Sequence, residues 1–352
     1  MVKNSNVVAI SLFSGCGGLD IGSHLAGIPV ISSIDFDEDS IKTLKQNKIF
    51  QDSKIIWGDV RGVYSKYYRE IVKKHKSDKT ILIGGPPCQP FSKAAYWIGN
   101  NTRKGEKDPR NMIGEYLRIL KGLSPEGFLF ENVESILHPT NKQVVEKIII
   151  FLKKEKYYYK IVKANSLDYG VPQKRKRIFI IGSKKPFKTD KPKKTHFPKE
   201  IAEKKGLTHH VNVGEVISKF DNQKYFEPSE LTKNGTYSKH LKEVPPGKNY
   251  IALSKRAGHP NPSFEAGKKF WNFLLKLHPD MPSWTIAAQP GPWVGPFHWT
   301  SRRLRIPEIA AIQSFPEDYN FYGDRRSVQK QIGNAVPPLM AKAMIEFLRE
   351  NI

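Results

Sequence analysis

Cys88 lies in the stretch GGPPCQPFS (residues 84–92), directly after two prolines and two residues before a third. Pro86, Pro87 and Pro90 each hold φ at about −65° and restrict the residue before them, so the backbone around the thiol has little freedom left to lose when a substrate arrives. A polar, proline-braced turn is a poor place to pack a cysteine, and Cys88 is therefore a candidate nucleophile. Glu131, in ENV (Glu131–Val133), offers a carboxyl group able to share a substrate with that thiol as proton donor or hydrogen-bond partner. Gln173, Arg175 and Arg177, in QKRKR, lead into an apolar strand instead of ending on a solvated face. The chain has two cysteines; the other, Cys16, falls inside a glycine-rich turn and suits packing better than reaction.

Short apolar runs separated by amphipathic stretches must position these groups. VVAISLF (Val7–Phe13), VISSID (Val30–Asp35), KIIWGDV (Lys54–Val60), TILIGG (Thr80–Gly85) and GFLFENV (Gly127–Val133) have the character of buried strands. Helical patterns over Asp37–Asn47 and Lys142–Lys154 lie between them, the second apolar on one face and lysine-rich on the other. Strands alternating with helices predict an α/β fold with a doubly wound, mostly parallel sheet. YKIVKANSLDYG (Tyr159–Gly170) and RIFIIG (Arg177–Gly182) are close enough in sequence to pair. From Ser183 to about Trp299 the pattern becomes irregular and rich in Pro, Gly, Lys and aromatic residues. Helical patterning returns at Ile306–Ser314 and again from Asp324, which predicts a C-terminal segment that rejoins the first domain. The expected division is 1–185, 186–301 and 302–352.

Three strand ends on one edge of that sheet describe a ligand site. FSGCGGLDIG (Phe13–Gly22) is a glycine-rich turn between strand and helix, without the G-x-G-x-x-G spacing of a dinucleotide site. Asp35 ends the second strand at the distance where an acid meets ribose hydroxyls, although an acid there also caps a following helix. Asp59 ends the third, where it could accept a hydrogen bond from an adenine amino group or sit in a solvated turn. Together they favour an adenosine-bearing ligand. No His/Cys pattern suggests a metal.

Lysine and arginine number 58 against 34 acidic residues, a formal charge of +24. Such a surface suits a polyanion, and the clustering strengthens the point: nine lysines against three acids between Lys184 and Lys205, and TSRRLR ending at Arg305. The expected setting is a reducing cytoplasm with no membrane, because the cysteines are few and no apolar run is long enough to span a bilayer, and with nucleoid association through the basic surface.

In this order, FSGCGG, GGPPCQPFS, ENV, QKRKR, RRLRIPEIAAIQSFP and QIGNAVP resemble the DNA (cytosine-5)-methyltransferase family in its compact bacterial or phage form. The resemblance implies a Rossmann-like methyltransferase fold with a smaller, irregular target-recognition domain, S-adenosyl-L-methionine as methyl donor, and double-stranded DNA as substrate. It implies a Cys88 thiolate that adds to carbon 6 of a flipped-out cytosine, Glu131 at N3 and the amino group, Arg177 at O2, and Gln173 and Arg175 in support. For the cofactor it implies Phe13, Ser14, Gly15, Gly17, Gly18 and Leu19 from the first turn, then Asp35, Asp59, Val60 and Pro86, with Asn334 and Ala335 from the C-terminal segment. For DNA, the polar loop after Cys88 (Ser92, Arg103, Arg110) would grip the backbone, and Thr285, Arg302, Arg303 and Arg305 would add recognition and phosphate contacts. Arg305 departs from the family, which usually has threonine there. Trp284, Trp293 and Trp299 suit packing more than base stacking. A monomer, with a cognate restriction endonuclease encoded nearby, completes the expectation. An RNA substrate or a catalytically silent DNA-binding relative are the alternatives.

Overall fold

The computed structural model describes residues 6–87, 112–232 and 235–352. In chain order the first part runs β1 (Val7–Leu12), α1 (Gly18–Leu25), β2 (Val30–Asp35), α2 (Glu38–Gln46), β3 (Lys54–Trp57), α3 (Ser65–His75), β4 (Lys79–Gly84), α4 (Ile113–Leu123), β5 (Gly127–Val133), α5 (Lys142–Lys154), β6 (Tyr158–Asn165), β7 (Gln173–Lys174) and β8 (Lys176–Ser183). Seven strands form one sheet in the order β3-β2-β1-β4-β5-β8-β6. β1 to β5 are mutually parallel, whereas β8 runs antiparallel to both β5 and β6. This is the α/β, doubly wound sheet of the sequence expectation. β3 ends at Trp57, so Asp59 begins a short 3₁₀ turn and does not end the strand.

Alternation along each strand divides the core between two faces. Val8, Ile10 and Leu12 join Leu82, Phe128 and Phe130 under α3, α4 and α5. Ala9, Ile81, Ile83 and Leu129 meet α1 and the last helix on the other face. The continuous apolar runs follow from this, because strands covered on both sides have no polar face to present. The C-terminal elements are α9 (Ile306–Ile312), α10 (Arg325–Asn334) and α11 (Pro338–Glu350). α11 seats against α1 so closely that a Cβ at Gly22 would lie 2.4 Å from the Cβ of Ala341. Among the described residues, the middle of the chain carries only short helices, α6 (Lys199–Lys205), α7 (Val213–Ile217) and α8 (Ser238–Glu243), and strand β9 (Ser283–Trp284). Part of it packs as a separate cluster around Leu241, Tyr250, Phe273 and Phe297.

Chain direction along the sheet reverses between β1 and β4: β1, β2, β3 step one way, and β4, β5 the other. Loops leaving the carboxyl ends of these two strands diverge and open a crevice. The FSGCGG turn leaves β1 there and residues 85–87 leave β4, so topology alone brings them together.

A buried carboxylate holds the first of these turns. Asp20, in the first turn of α1, accepts hydrogen bonds from Ser11 Oγ of β1 (2.8 Å) and Ser33 Oγ of β2 (2.6 Å). Burial pushes its carboxyl up to about 6, with both hydroxyls opposing the rise. An acid raised in the folded state contributes stability fully present below its unfolded value, lost as pH rises through the folded one. The shift from 3.8 to about 6 corresponds to about 3 kcal/mol. Asp20→Asn should therefore gain up to about that much on the wild type between pH 4 and pH 7, read by urea denaturation at both pH values. Parallel pH profiles would remove Asp20 from this role.

Candidate active site and DNA-facing groove

The crevice at the reversal point is a cavity of about 230 Å³, lined by Phe13, Ser14, Gly15, Gly18, Leu19, Asp35, Phe36, Pro86, Pro87, Glu131, Arg175, Arg177, Lys330, Asn334 and Ala335, among others. Its floor is the turn after β1. Gly15 (φ 52°) and Gly17 (φ 86°) both take the left-handed conformation, which favours glycine. A Cβ at Gly18 would lie 2.2 Å from the Val336 carbonyl oxygen, so the C-terminal segment closes directly over the turn. Gly17 does not line the cavity; a Cβ there would meet Leu44 and Phe50 instead, and its part is to form the turn. Cys16 is buried, and burial pushes its thiol far up, keeping it protonated as a packing group.

Asp35 is buried at the end of β2. One carboxylate oxygen accepts from the Gly15 amide (2.7 Å) and the other from the Asp37 amide (2.9 Å), which fixes the carboxylate plane toward the cavity. Burial raises its pKa, and these N–H groups oppose the rise. Next to it Phe36 is 67 % exposed, with Trp57 Nε1 donating to its carbonyl at 3.0 Å. Phe36 was not among the residues expected at this site. Its signal was an apolar ring immediately after a strand-end acid, where nothing in the core could cover it. Lys330 of α10 also lines the cavity and reaches Asp37 at 2.6 Å, tying the C-terminal segment to the start of α2.

Asp59 and Val60 do not line the cavity. The Asp59 carboxylate caps its own turn through the Arg61 amide (2.8 Å) and pairs with the Arg61 guanidinium, while Val60 is buried with its carbonyl accepting from Arg118 (3.0 Å). Two residues of separation make the Asp59–Arg61 pair local and easy to form, which draws the carboxylate outward.

At the opposite wall, Glu131 Oε1 meets Arg177 Nε at 2.9 Å, both groups largely buried. Register explains the meeting. Arg177 of β8 lies directly opposite Val133 of β5, so Glu131 is its diagonal neighbour on the same face. Burial raises the Glu131 carboxyl, with Arg177 and then Arg175 opposing. Arg175 is buried and donates to the carbonyls of Gly333 (2.7 Å) and Ile286 (3.4 Å). Gln173 is buried too, bonding Gln313 and the Ile286 amide. These two side chains thus join β7 and the start of β8 to α10 and to the irregular region. Cys88, Ser92, Arg103 and Arg110 lie outside the described residues; Pro86 and Pro87, which lead to the thiol, are in the cavity wall.

A second, larger groove of about 800 Å³ runs past residues 286–297 and is lined by Gln289, Arg303, Arg325, Arg326 and Gln329. The basic cluster TSRRLR divides here. Arg303 faces the groove, its Nε without a hydrogen-bond partner and its guanidinium without a carboxylate among the described residues. Arg302 and Arg305 turn inward, contrary to the expected phosphate contacts. Arg302 pairs with Glu308 (2.7 Å) and Asp221 (3.0 Å). Arg305 is buried, forked onto Glu230 and bonded to the carbonyls of Phe220 and Asn222. The arginine in place of threonine therefore clamps the irregular region to α9. Thr285 likewise uses its hydroxyl internally, donating to the Lys174 carbonyl at 2.7 Å.

An adenosine moiety needs a fixed carboxylate for its diol and apolar faces for its base, and a methionine moiety needs open backbone. Asp35, the rings of Phe13 and Phe36, and the Gly15 turn, where an added Cβ would meet nothing within 4 Å, supply these. With the sheet, they define an S-adenosylmethionine-dependent methyltransferase. Residues 7–350 match the family model for C-5 cytosine-specific DNA methylase, and the chain belongs to that family. It is 33 % identical to the type II methyltransferase M.SacI of Streptomyces achromogenes, over 99 % of this chain and 94 % of that protein. With M.FnuDI of Fusobacterium nucleatum the identity is 30 %, over 97 % and 94 %. Among solved structures, Spodoptera frugiperda DNMT2 shares the fold (TM-score 0.63, 17 % identity, 97 % of this chain and 99 % of that one). The protein is accordingly an enzyme that transfers a methyl group from S-adenosylmethionine to carbon 5 of cytosine in DNA.

Removing one member of the Arg305–Glu230 pair leaves a buried, unpaired charge, at a cost of about 3–5 kcal/mol. Arg305→Met should lower stability by that order in chemical denaturation, and adding Glu230→Met should restore much of it. A phosphate ligand would give the reverse pattern, with full stability and a weaker salt dependence of DNA binding.

Proposed function

We propose that the residues of this cavity divide the methyl transfer as follows, and the observation that carries the proposal is the buried Glu131–Arg177 pair at 2.9 Å facing the Asp35 cradle. S-adenosylmethionine supplies an electrophilic methyl group. Phe13 and Phe36 would flank its adenine, Asp35 would accept from the ribose hydroxyls, and Asn334 and Ala335 would close the site from the C-terminal segment. The Cys88 thiolate adds to carbon 6 of the cytosine, making carbon 5 nucleophilic enough to take the methyl group. Loss of the carbon 5 proton to a base then expels the thiolate and restores the ring. Arg177 donates to O2, and Glu131, its carboxyl raised by burial, holds N3 and the amino group as charge builds on the ring. Gln173 and Arg175 position the strand and do not touch the base.

The cytosine reaches this cavity only by leaving the duplex. The groove containing Arg303 supports a path for the duplex backbone beside the cavity, with residues 186–301 as the recognition domain and Ser92, Arg103 and Arg110 as a backbone grip. One chain carries both cavity and groove, which supports a monomer. The type II relatives support a cognate endonuclease, and among the described residues no helix is long and apolar enough to cross a membrane.

The test is incubation with labelled S-adenosylmethionine and mixed-sequence duplex DNA, followed by mapping of 5-methylcytosine at single-base resolution. Methylation within one short recurring sequence is expected. Cys88→Ser should abolish transfer while duplex binding survives, and retained transfer would remove Cys88 as nucleophile. Asp35→Ala should weaken cofactor affinity by about tenfold or more with little change in DNA affinity; equal losses would make Asp35 a structural acid.

A further inference from the structure

The groove uses Arg303 but none of the lysines that follow β8. Residues 142–163 and 184–194 hold 13 lysines against three acids, and no arginine. Register gathers them at one end of the sheet. β6 is the last of the seven strands, and it runs from the edge opposite the crevice, where Tyr158 lies across from Ser183, to the crevice edge, where Asn165 lies across from Lys176. The segment after β8 stays beside it. Phe187 stacks on Phe347 of α11 with ring centroids 5.5 Å apart, the Lys188 amide donates to Asn351 Oδ1 at 2.6 Å, and Asp190 pairs with Lys160 of β6 at 2.7 Å. The other two acids are engaged as well, Glu146 with Lys142 (3.6 Å) and Glu155 with Lys121 (4.0 Å). Exposed Lys153, Lys154, Lys163, Lys185, Lys188 and Lys191 are left with no carboxylate partner among the described residues.

A lysine-rich composition would spread such charge evenly, and here it is segregated. At the other end of the sheet α2 lies beside β2 and β3 and meets the loop before α10. Residues 35–39 and 317–324 there hold seven acids and no lysine or arginine. Lysines in the last turn of α5 complement the helix dipole, and those on β6 guard an edge strand from pairing. Lys185, Lys188 and Lys191 lie on neither element. The chemistry also differs from that of the groove. Where the groove combines arginines with Gln289 and Gln329, this face offers ammonium groups alone, which meet phosphates as point charges and read no bases. β6 is eight residues long, or about 26 Å, the rise of about eight base-pair steps.

We infer that this face binds a second duplex segment, gripped through its phosphates without sequence preference, while the first segment serves the cavity. The inference rests on the reading of the groove as the path of the target duplex. That duplex crosses the crevice edge, whereas β6 leads away from it to the opposite edge, and duplex DNA is stiff over about 150 base pairs. One segment therefore does not turn within a few steps to follow both surfaces. Two grips on separate segments let the enzyme pass from one to the other without dissociating, which shortens the search for its target.

The experiment counts, by sedimentation at low salt, how many labelled duplexes of about 20 base pairs lacking the mapped target bind each full chain at saturation. The wild type should bind two. A variant carrying Lys153→Gln, Lys154→Gln, Lys163→Gln and Lys185→Gln should bind one, the second affinity falling about tenfold or more. Arginine at the same four positions should keep both. On a short target duplex the Gln variant should retain the wild-type kcat/KM, because only the first grip is in use. One duplex per wild-type chain, or two per chain of the Gln variant, would overturn the proposal, and so would a single-stranded RNA that binds this face more tightly than the duplex. Arg303→Gln separates the two readings: it should weaken the one duplex that the Gln variant retains, and if it does not, the groove reading fails while the count at the β6 face stands.

Discussion

The wall proposed to hold the cytosine depends on one reversal of chain direction. β8 enters a parallel sheet antiparallel, between β5 and β6, and only that direction sets Arg177 diagonal to Glu131 across the strand pair. A parallel insertion would carry the side chains past one another in a different register. The same reversal makes β7 continuous with the irregular region through β9, so Gln173 and Arg175 can bond both that region and α10. The buried carboxylate and guanidinium are thus held by backbone pairing on one side and, through their strand, by two separate parts of the chain on the other.

The cofactor wall follows from a different constraint, the point at which successive strands diverge. Asp20 lashes β1, β2 and α1 together under the glycine turn, and α11 packs on α1 through Gly22, while Lys330 brings α10 to the mouth. Residues more than 300 positions apart therefore share one cavity. Holding a raised acid at its base means that part of the fold's stability is exchanged for a rigid turn, an arrangement suited to a site that must fix a ligand before the chemistry begins.

Net charge gives a poor guide to which cations meet DNA. Arg302, Arg303 and Arg305 lie within four residues of one another, yet two are engaged with buried or partly buried acids, while Arg303 lines the groove with a Pro292 carbonyl and no carboxylate as partner among the described residues. Partnership is decided by what packs nearby: Glu230 and Asp221 come from the irregular region, Glu308 from α9. Clamping that region with internal arginines keeps its groove in a fixed relation to the cavity, which a base-extruding enzyme requires.

Patterning in the sequence determined the strands of the sheet, the two helices expected between them, the pairing of β6 with β8 and the return of the C-terminus, because burial on both faces imposes long apolar runs and burial on one imposes a helical stripe. Motif order further determined the family, and with it the S-adenosylmethionine cofactor. Only the tertiary structure decided that Asp59 turns to Arg61 and away from the cavity, that Phe36 and Lys330 belong in its wall, that Arg305 is a clamp, and that Trp284 is paired with Trp271. The division has a physical cause. Whether a segment is apolar or polar, helical or extended, is a local property written in neighbouring residues. Which carboxylate a guanidinium finds, and which ring another ring meets, depends on partners tens to hundreds of residues away, brought together only when the sheet closes its order and the C-terminal helices dock upon it.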